Sequence, residues 1–303
     1  MHGLIISVMD KSPTRDSSDS LLARTKRRLR QSGLKPRKGL GQHFLVDEEV
    51  LGVITSAAKV TPDDLVVEVG PGLGILTEAL ARKAGGVIAI ELDDKLAALL
   101  KKTLASFENV TIVNDNVLNI EPGELLARRG VNPVYKVVAN LPYYITSPVL
   151  RHFLDNPVRP QVMIFMVQKE VAEAVAARPG DMSLLSVSVQ FYGKPEIISY
   201  VPAQSFYPAP EVDSAVLRIE LYDEPAVAVS DEGGFFELVR AGFTAPRKQL
   251  ANSLSQGFGL PRDVILPLLA KADIASQRRA ETLTLDEWAR LWRVFEEKRD
   301  GRY

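Results

Sequence analysis

From Pro62 onward, short and almost wholly apolar runs alternate with stretches of helical periodicity. That alternation constrains the fold more than any other feature of this 303-residue chain. The runs are LVVEV (65–69), GVIAI (86–90), VTIV (110–113), YKVVAN (135–140), VMIFMV (162–167), SVSVQFY (186–192) and SAVLRIEL (214–221). Strands apolar on both faces are covered on both faces. Helix-like segments at 75–83 and 94–104 separate the runs, and strands alternating with helices imply parallel pairing. The expected class is α/β, an open sheet with helices on both sides. The last run leaves little room for a crossover helix before it, so it is expected as an antiparallel edge strand.

Near Tyr222 the pattern changes. DEPAVAVSDEGG is rich in Pro, Gly and acids and reads as a linker. Beyond it the chain turns helical. Thr284-x-x-Glu287 is a capping-box signature, and Trp288, Leu291, Trp292 and Phe295 follow at helical spacing as a core stripe. The expected division is a flexible basic tail at 1–30, an α/β domain at 31–222 and a small all-helical domain at 223–303. No internal repeat is visible.

Composition narrows the chemistry. There are no cysteines, which excludes disulfides, thiolate metal sites and cysteine nucleophiles. With only His2, His43 and His152, a histidine-rich metal centre is not expected. No apolar run reaches the ~18–20 residues of a membrane span. The opening MHGLIISVMD lacks a basic n-region, so a cytoplasmic protein is expected, with a monomer as the default. Net charge is −1, unevenly spread. Residues 1–38 carry ten Lys/Arg against three Asp/Glu, 240–303 carry twelve against eight, and 39–239 carry fifteen against twenty-seven. Basic ends on an acidic body suit contact with phosphates, and equally a solvated tail.

The strand 65–69 runs into Gly70-Pro71-Gly72-Leu73-Gly74 and then a helix. A glycine turn there lets backbone approach a ligand at the helix N-terminus. It also serves plain tight packing. Glu91 ends the next strand, 21 residues after Gly70, where an acid can accept from two ribose hydroxyls. Asp115 follows the third strand and can accept from an adenine amino group, or make an Asx turn. In order at successive strand ends, these features favour an adenosine-bearing ligand. No phosphate loop with a lysine is present, so ATP is not the first choice.

Asn140-Leu141-Pro142-Tyr143 follows the fourth strand, on the same sheet edge. Its chemistry suits an exocyclic amine. The lone pair of adenine N6 is delocalised into the ring and is a poor nucleophile. The Asn140 side-chain oxygen and the Leu141 carbonyl can accept its two protons and favour a pyramidal nitrogen. Pro142 fixes φ and lacks an N–H. Tyr143 offers a flat face to a base taken out of its stack.

Four segments in this order resemble a known family. They are Gly39-Leu40-Gly41-Gln42-His43-Phe44-Leu45, Val67-Glu68-Val69-Gly70-Pro71-Gly72, Asn140-Leu141-Pro142-Tyr143-Tyr144-Ile145-Thr146, and Pro202-x-x-x-Phe206-x-Pro208-x-Pro210-x-Val212-Asp213-Ser214. Together, over about residues 35–300, they are similar to the small-subunit rRNA adenine dimethyltransferases. The resemblance implies a Rossmann-like methyltransferase sheet with a helical C-terminal domain. It implies S-adenosyl-L-methionine as donor, S-adenosyl-L-homocysteine as product and no metal. It implies as acceptors two adjacent adenines near the 3′ end of 16S rRNA in the immature 30S subunit, each dimethylated at N6. Carried over, His43 and Leu45 would lie along the cofactor, with Gly70 and Gly72 approaching its methionine part. Glu91 would take its ribose and Asp115 its adenine, while Asn140 stands at the reacting centre. Phe206 would be a second aromatic wall opposite Tyr143. Lys35, Arg37 and Lys38, with Arg247 and Lys248 at the start of a helical-looking segment, are assigned to RNA. One position departs: the family carries Tyr-Gly-Arg/Lys-Leu-Ser where 182–186 reads Met-Ser-Leu-Leu-Ser, so Leu184 replaces a basic residue.

Two alternatives stay open. One is a 23S rRNA adenine methyltransferase of the macrolide-resistance type. The other is a non-catalytic ribosome-assembly or transcription factor on the same scaffold.

Overall fold

The computed structural model describes residues 20–127, 134–299 and 301. Helix α1 (Leu21–Ser32) leads into the two-residue strand β1 (Phe44–Leu45) and α2 (Glu48–Ala57). The alternating region holds β2 (Leu65–Val69), α3 (Ile75–Ala81), β3 (Gly86–Glu91), α4 (Asp94–Thr103), β4 (Val110–Asn114), α5 (Pro122–Ala127), β5 (Lys136–Asn140), α6 (Thr146–Leu154) and β6 (Val162–Gln168). Next come α7 (Lys169–Val175), α8 (Leu184–Tyr192), β7 (Gly193–Val201), β8 (Phe206–Tyr207) and β9 (Ser214–Leu221). Helices α9 (Glu232–Gly242), α10 (Leu250–Phe258), α11 (Arg262–Lys271) and α12 (Leu285–Arg299) follow.

The main sheet has the order β4-β3-β2-β5-β6-β9-β7. Strands β2 to β6 pair in parallel, and β9 pairs antiparallel with both β6 and β7. From β2 the chain steps outward through β3 and β4, then returns to place β5 on the other side of β2. The strand order therefore reverses between β2 and β5, where ligands of open α/β sheets bind. The apolar runs are explained by the two-residue period of a strand. Val67, Val69, Ile88, Ile90, Val137 and Ala139 enter one core, whereas Val66, Val87, Val138, Ile164 and Met166 enter a second on the opposite face.

Three expectations are corrected. SVSVQFY is helix α8, not a strand. Its alternation is only a few residues long, and the local hydrogen bonds favour a helix. Ser183 and Ser186 form a reciprocal capping box, with Ser186 N donating to Ser183 Oγ at 3.2 Å. Gln190 Nε2 then donates to the Val175 and Ala177 carbonyls at 2.9 and 2.8 Å. The strand in this region is the following segment, β7, an edge strand that contains Pro195, as edges allow. Strand β9 is antiparallel as expected, but it sits inside the sheet between β6 and β7 rather than at the edge.

The expected tail is also partly helix. Residues 1–19, His2 among them, lie outside the described residues. From residue 20 the chain is ordered into α1, capped by Ser20 Oγ accepting from Ala23 N at 3.3 Å. Leu21, Thr25 and Leu29, spaced four apart, are buried on its inner face.

At the other end, Thr284 and Glu287 form the anticipated box: Thr284 N donates to Glu287 Oε2 at 2.8 Å, and Glu287 N donates to Thr284 Oγ1 at 3.2 Å. Trp288 and Trp292 are buried. Phe235 of α9 stacks on Phe191 of α8 with centroids 5.0 Å apart. Buried side chains thus run without a break from the sheet into the C-terminal helices. Among the described residues, no helix is long and apolar enough to cross a membrane.

Candidate active site

The carboxyl ends of β2 and β5 border a hollow of about 370 Å³, within the range of small-molecule pockets. Its walls are the 70–74 turn, the tips of β3 and β4, the segment 140–145 and the segment 40–45 that crosses from the N-terminal side. Small β1 and β8 pair antiparallel, Phe44 with Tyr207 and Leu45 with Phe206. That pairing brings the first and last of the four sequence segments together, although more than 150 residues separate them.

Gly72 and Gly74 have φ of +57° and +79°. A Cβ on Gly72 would stand 3.1 Å from the Phe44 ring, and one on Gly74 would stand 2.8 Å from Leu100. Backbone conformation and lack of space both require glycine there. Gly72 N donates to Glu91 Oε2 at 3.0 Å, and Asp93 N donates to Glu91 Oε1 at 2.9 Å. Burial raises the Glu91 carboxyl above its ordinary range, against those two N–H bonds. An ionised carboxylate has about four acceptor positions. The N–H groups of Gly72, Asp93 and Leu92 fill part of that capacity, and the rest is open to hydroxyl protons. Asp115 lines the hollow next to it, its backbone N donating to the Glu91 carbonyl at 3.1 Å.

On the β5 side, Asn140 Nδ2 donates to the His43 carbonyl at 3.1 Å. A carbonyl only accepts, so this bond fixes the orientation of the amide. The Asn140 oxygen is then the atom left to receive a proton in the hollow. His43 Nδ1 lies 2.7 Å from the Pro208 carbonyl, which can only accept from it. The His43 and Tyr143 rings are stacked, with centroids 5.9 Å apart. The Tyr143 hydroxyl bonds Ser214 Oγ at 2.8 Å, and burial raises its pKa. The 202–214 segment thus buttresses the site through Pro208 and Ser214.

His43, Leu45, Gly70, Gly72, Glu91, Asp115, Asn140, Leu141, Pro142 and Tyr143 all line the hollow. Phe206, expected as the second aromatic wall, is not among the residues that line this hollow. It is 4% exposed and packs in the second core with Leu45, Ile54 and Val201. Its register partner is Leu45, which lines the hollow. The RNA-assigned cations stand in two places. Arg37 pairs with Asp93 at 2.9 Å beside the tip of β3, and Lys35 is exposed nearby. The Lys38 side chain lies outside the described residues. Arg247 and Lys248 are exposed, but in the turn before α10 rather than in the helix, which Gln249 precedes in extended conformation. Leu184 opens α8 and packs partly buried against the core, beside a groove that also holds Arg151 and Arg240.

Among the lining residues without a role assigned from sequence, Tyr144 and Glu68 bear on the chemistry. Tyr144 is 56% exposed at the mouth, and its signal was an aromatic directly after Tyr143. Glu68 is a lone acid in an apolar strand. It is fully buried at the floor, and its Oε2 has no hydrogen-bond partner among the described residues. Burial, with Glu91 nearby, pushes its carboxyl up to about 8. The sign follows. Below about 4.5 both folded and unfolded chains hold this proton, and nothing is lost. Between 4.5 and 8 the unfolded chain releases it and the folded chain keeps it, so stability falls as pH rises. At 1.36 kcal/mol per pKa unit the loss is up to roughly 5 kcal/mol. Glu68→Gln is expected to flatten the decline in melting temperature between pH 5 and 8. An unchanged slope would rule out Glu68 as its source.

A mostly parallel sheet that ends in an acid on β3 and an amide on β5, either side of the switch point strand β2, is the arrangement of a class, the Rossmann-like methyltransferases. Similarity to known proteins narrows it. A model of the family Ribosomal RNA adenine dimethylase matches residues 33–297, and the chain belongs to that family. It is 49% identical over 278 residues to a protein of Dehalococcoides mccartyi named Ribosomal RNA small subunit methyltransferase A, covering 92% of this chain and 94% of the relative. Among solved structures, the 23S rRNA methyltransferase ErmE is similar at 28% identity with a TM-score of 0.65, over 84% of this chain and 99% of that one. A dimethyladenosine transferase from Plasmodium falciparum shares the fold with a TM-score of 0.71 at 23% identity, over 86% and 98%.

Proposed function

We propose that this chain transfers methyl groups from S-adenosyl-L-methionine to N6 of two adjacent adenines near the 3′ end of 16S rRNA. Each base receives two methyls, in the immature 30S subunit, and the protein acts as a cytoplasmic monomer. The observation that carries the reading is the Asn140 amide. Its nitrogen is committed to the His43 carbonyl, so its oxygen is free for an amine proton.

The donor set of the hollow fits the cofactor. Glu91 keeps acceptor capacity for ribose hydroxyls, and Asp115 is adjacent for the adenine amino group. Gly70 and Gly72 admit the methionine part to the backbone, and His43 and Leu45 flank it. Bound there, the donor supplies an electrophilic methyl on a sulfonium and leaves as S-adenosyl-L-homocysteine. The protein's part is positioning and charge placement. Asn140 Oδ1 and the Leu141 carbonyl accept the N6 protons and concentrate the lone pair. Tyr143, anchored on Ser214 and backed by His43, is a fixed face for the base. The amine becomes acidic only once methylated, so water can take its proton and no strong base is required.

Tyr144, exposed at the mouth of the hollow, is a further flat ring available to the RNA. Base–aromatic stacking contributes ~1–3 kcal/mol. Tyr144→Ala is expected to raise the KM for RNA about tenfold, equivalent to ~1.4 kcal/mol, with donor affinity unchanged. An unaltered KM would remove Tyr144 from RNA binding. Lys35, Arg37, Lys38, Arg247 and Lys248 are assigned to phosphates, a contact class weakened by salt.

Incubation with tritiated donor and purified unmethylated particles tests the reading. Label is expected in immature 30S and not in 50S. Label in 50S alone would favour the macrolide-resistance reading. No label in either would favour a non-catalytic scaffold.

A further inference from the structure

We propose that Arg28, on α1, is a positioning residue for the methyl donor, acting through the glycine turn that it holds. The inference rests on the reading of the hollow as the donor site. Helix α1 precedes the 33–297 family match, which assigns it no role, although the 49%-identical relative, aligned over 92% of this chain, extends across Arg28.

The turn between β2 and α3 has left-handed φ at Gly70, Gly72 and Gly74, three of five consecutive residues. Glycines give such a turn access to many conformations, so something must select one. The residue between the last two glycines is gripped at both ends. The Leu73 side chain is 2% exposed and packs with Leu29 of α1, Phe44 and Leu96. The Leu73 carbonyl accepts from Arg28 Nη1 at 2.8 Å.

The other prong of the same guanidinium, Nη2, pairs with Glu78 in the first turn of α3. Arg24, one helical turn earlier, also reaches Glu78, at 3.3 Å. Arg28 therefore spans the glycine turn and the helix it opens, with its side chain 21% exposed. A planar guanidinium can make both contacts at once, and an ammonium is poorly shaped for it.

The consequence reaches Glu91. Its Oε2 accepts from Gly72 N at 3.0 Å, so a turn that drifts takes the carboxylate's partner with it. Arg28 does not line the hollow. Its effect is on the shape of the floor, and so on the donor rather than on the RNA.

Titration calorimetry with S-adenosyl-L-homocysteine, on the full chain and its variants, separates the possibilities. Wild type is expected to bind one ligand per chain. Arg28→Ala is expected to bind about tenfold more weakly and to show the same rise in donor KM. Its kcat at saturating donor and its KM for RNA should stay within about twofold. Arg28→Lys keeps the charge opposite Glu78 but not both prongs. It should retain the wild-type melting temperature and still lose several-fold in ligand affinity. That variant decides the matter if the alanine chain fails to fold. Wild-type affinity in Arg28→Lys, or in a folded Arg28→Ala, overturns the inference, as does an equal rise in both KM values. Absence of binding by wild type would instead defeat the reading of the hollow itself.

Discussion

Asn140→Ala is expected to lower methyl transfer by at least about 100-fold at saturating donor and RNA, with fold and donor affinity retained. The estimate follows from the amide's position. Asn140 is the last residue of β5 and lines the hollow, with its nitrogen donating to the His43 carbonyl and its oxygen left as acceptor. Removing one preorganised polar group aimed at the reacting atoms commonly costs 10²–10³ in rate, about 2.7–4 kcal/mol. The truncation leaves β5 intact, since its packing comes from Val137, Val138 and Ala139. Asn140→Asp tests orientation as well as presence. A carboxylate cannot donate to the His43 carbonyl, so it is expected to turn away or be repelled and to lose comparable rate. Single-turnover transfer to 30S particles reads both variants. Full turnover by Asn140→Ala would take Asn140 out of the chemistry.

The second large effect is at Glu91. Glu91→Ala is expected to weaken S-adenosyl-L-homocysteine binding at least about 100-fold, ~2.7 kcal/mol or more. Two losses combine. The acceptors for the ribose disappear, and the N–H groups of Gly72 and Asp93 lose their partner. Unsatisfied buried donors cost ~1–3 kcal/mol each. Glu91→Gln should fall between, because one of its two side-chain groups is a donor and can serve only one of those N–H groups. Calorimetry distinguishes the three proteins, and a Glu91→Ala affinity within twofold of wild type would exclude a ribose role.

Most of the cofactor half was legible in the sequence because its signals are local. A glycine turn after an apolar strand, and acids at the next two strand ends, fall at the switch point once the strands pair in order. Asn140-Leu141-Pro142-Tyr143 was legible for the same reason. What was not legible depends on tertiary partners. SVSVQFY reads as a strand until Gln190 finds the Val175 and Ala177 carbonyls. Strand β7 was hidden by its polar, alternating exposure and by Pro195, both properties of an edge. The burial of Phe206 beside Leu45, Ile54 and Val201 depends on strand β8 meeting β1 across more than 150 residues, which the motif does not show. Helix α1 has a polar composition that reads as a tail, and its three inward positions with the Arg24 and Arg28 contacts order it. The orientation of Asn140 could not have been deduced at all, because His43 lies 97 positions earlier in the chain.

The most direct test of the account is a crystal structure of the wild-type chain grown with saturating S-adenosyl-L-homocysteine. The account predicts density between the ends of β2 and β5, with ribose hydroxyls on the Glu91 carboxylate, the adenine beside Asp115 and the thioether sulfur facing Asn140. Well-ordered crystals in which that hollow holds only solvent, or in which the ligand lies elsewhere on the chain, would contradict it.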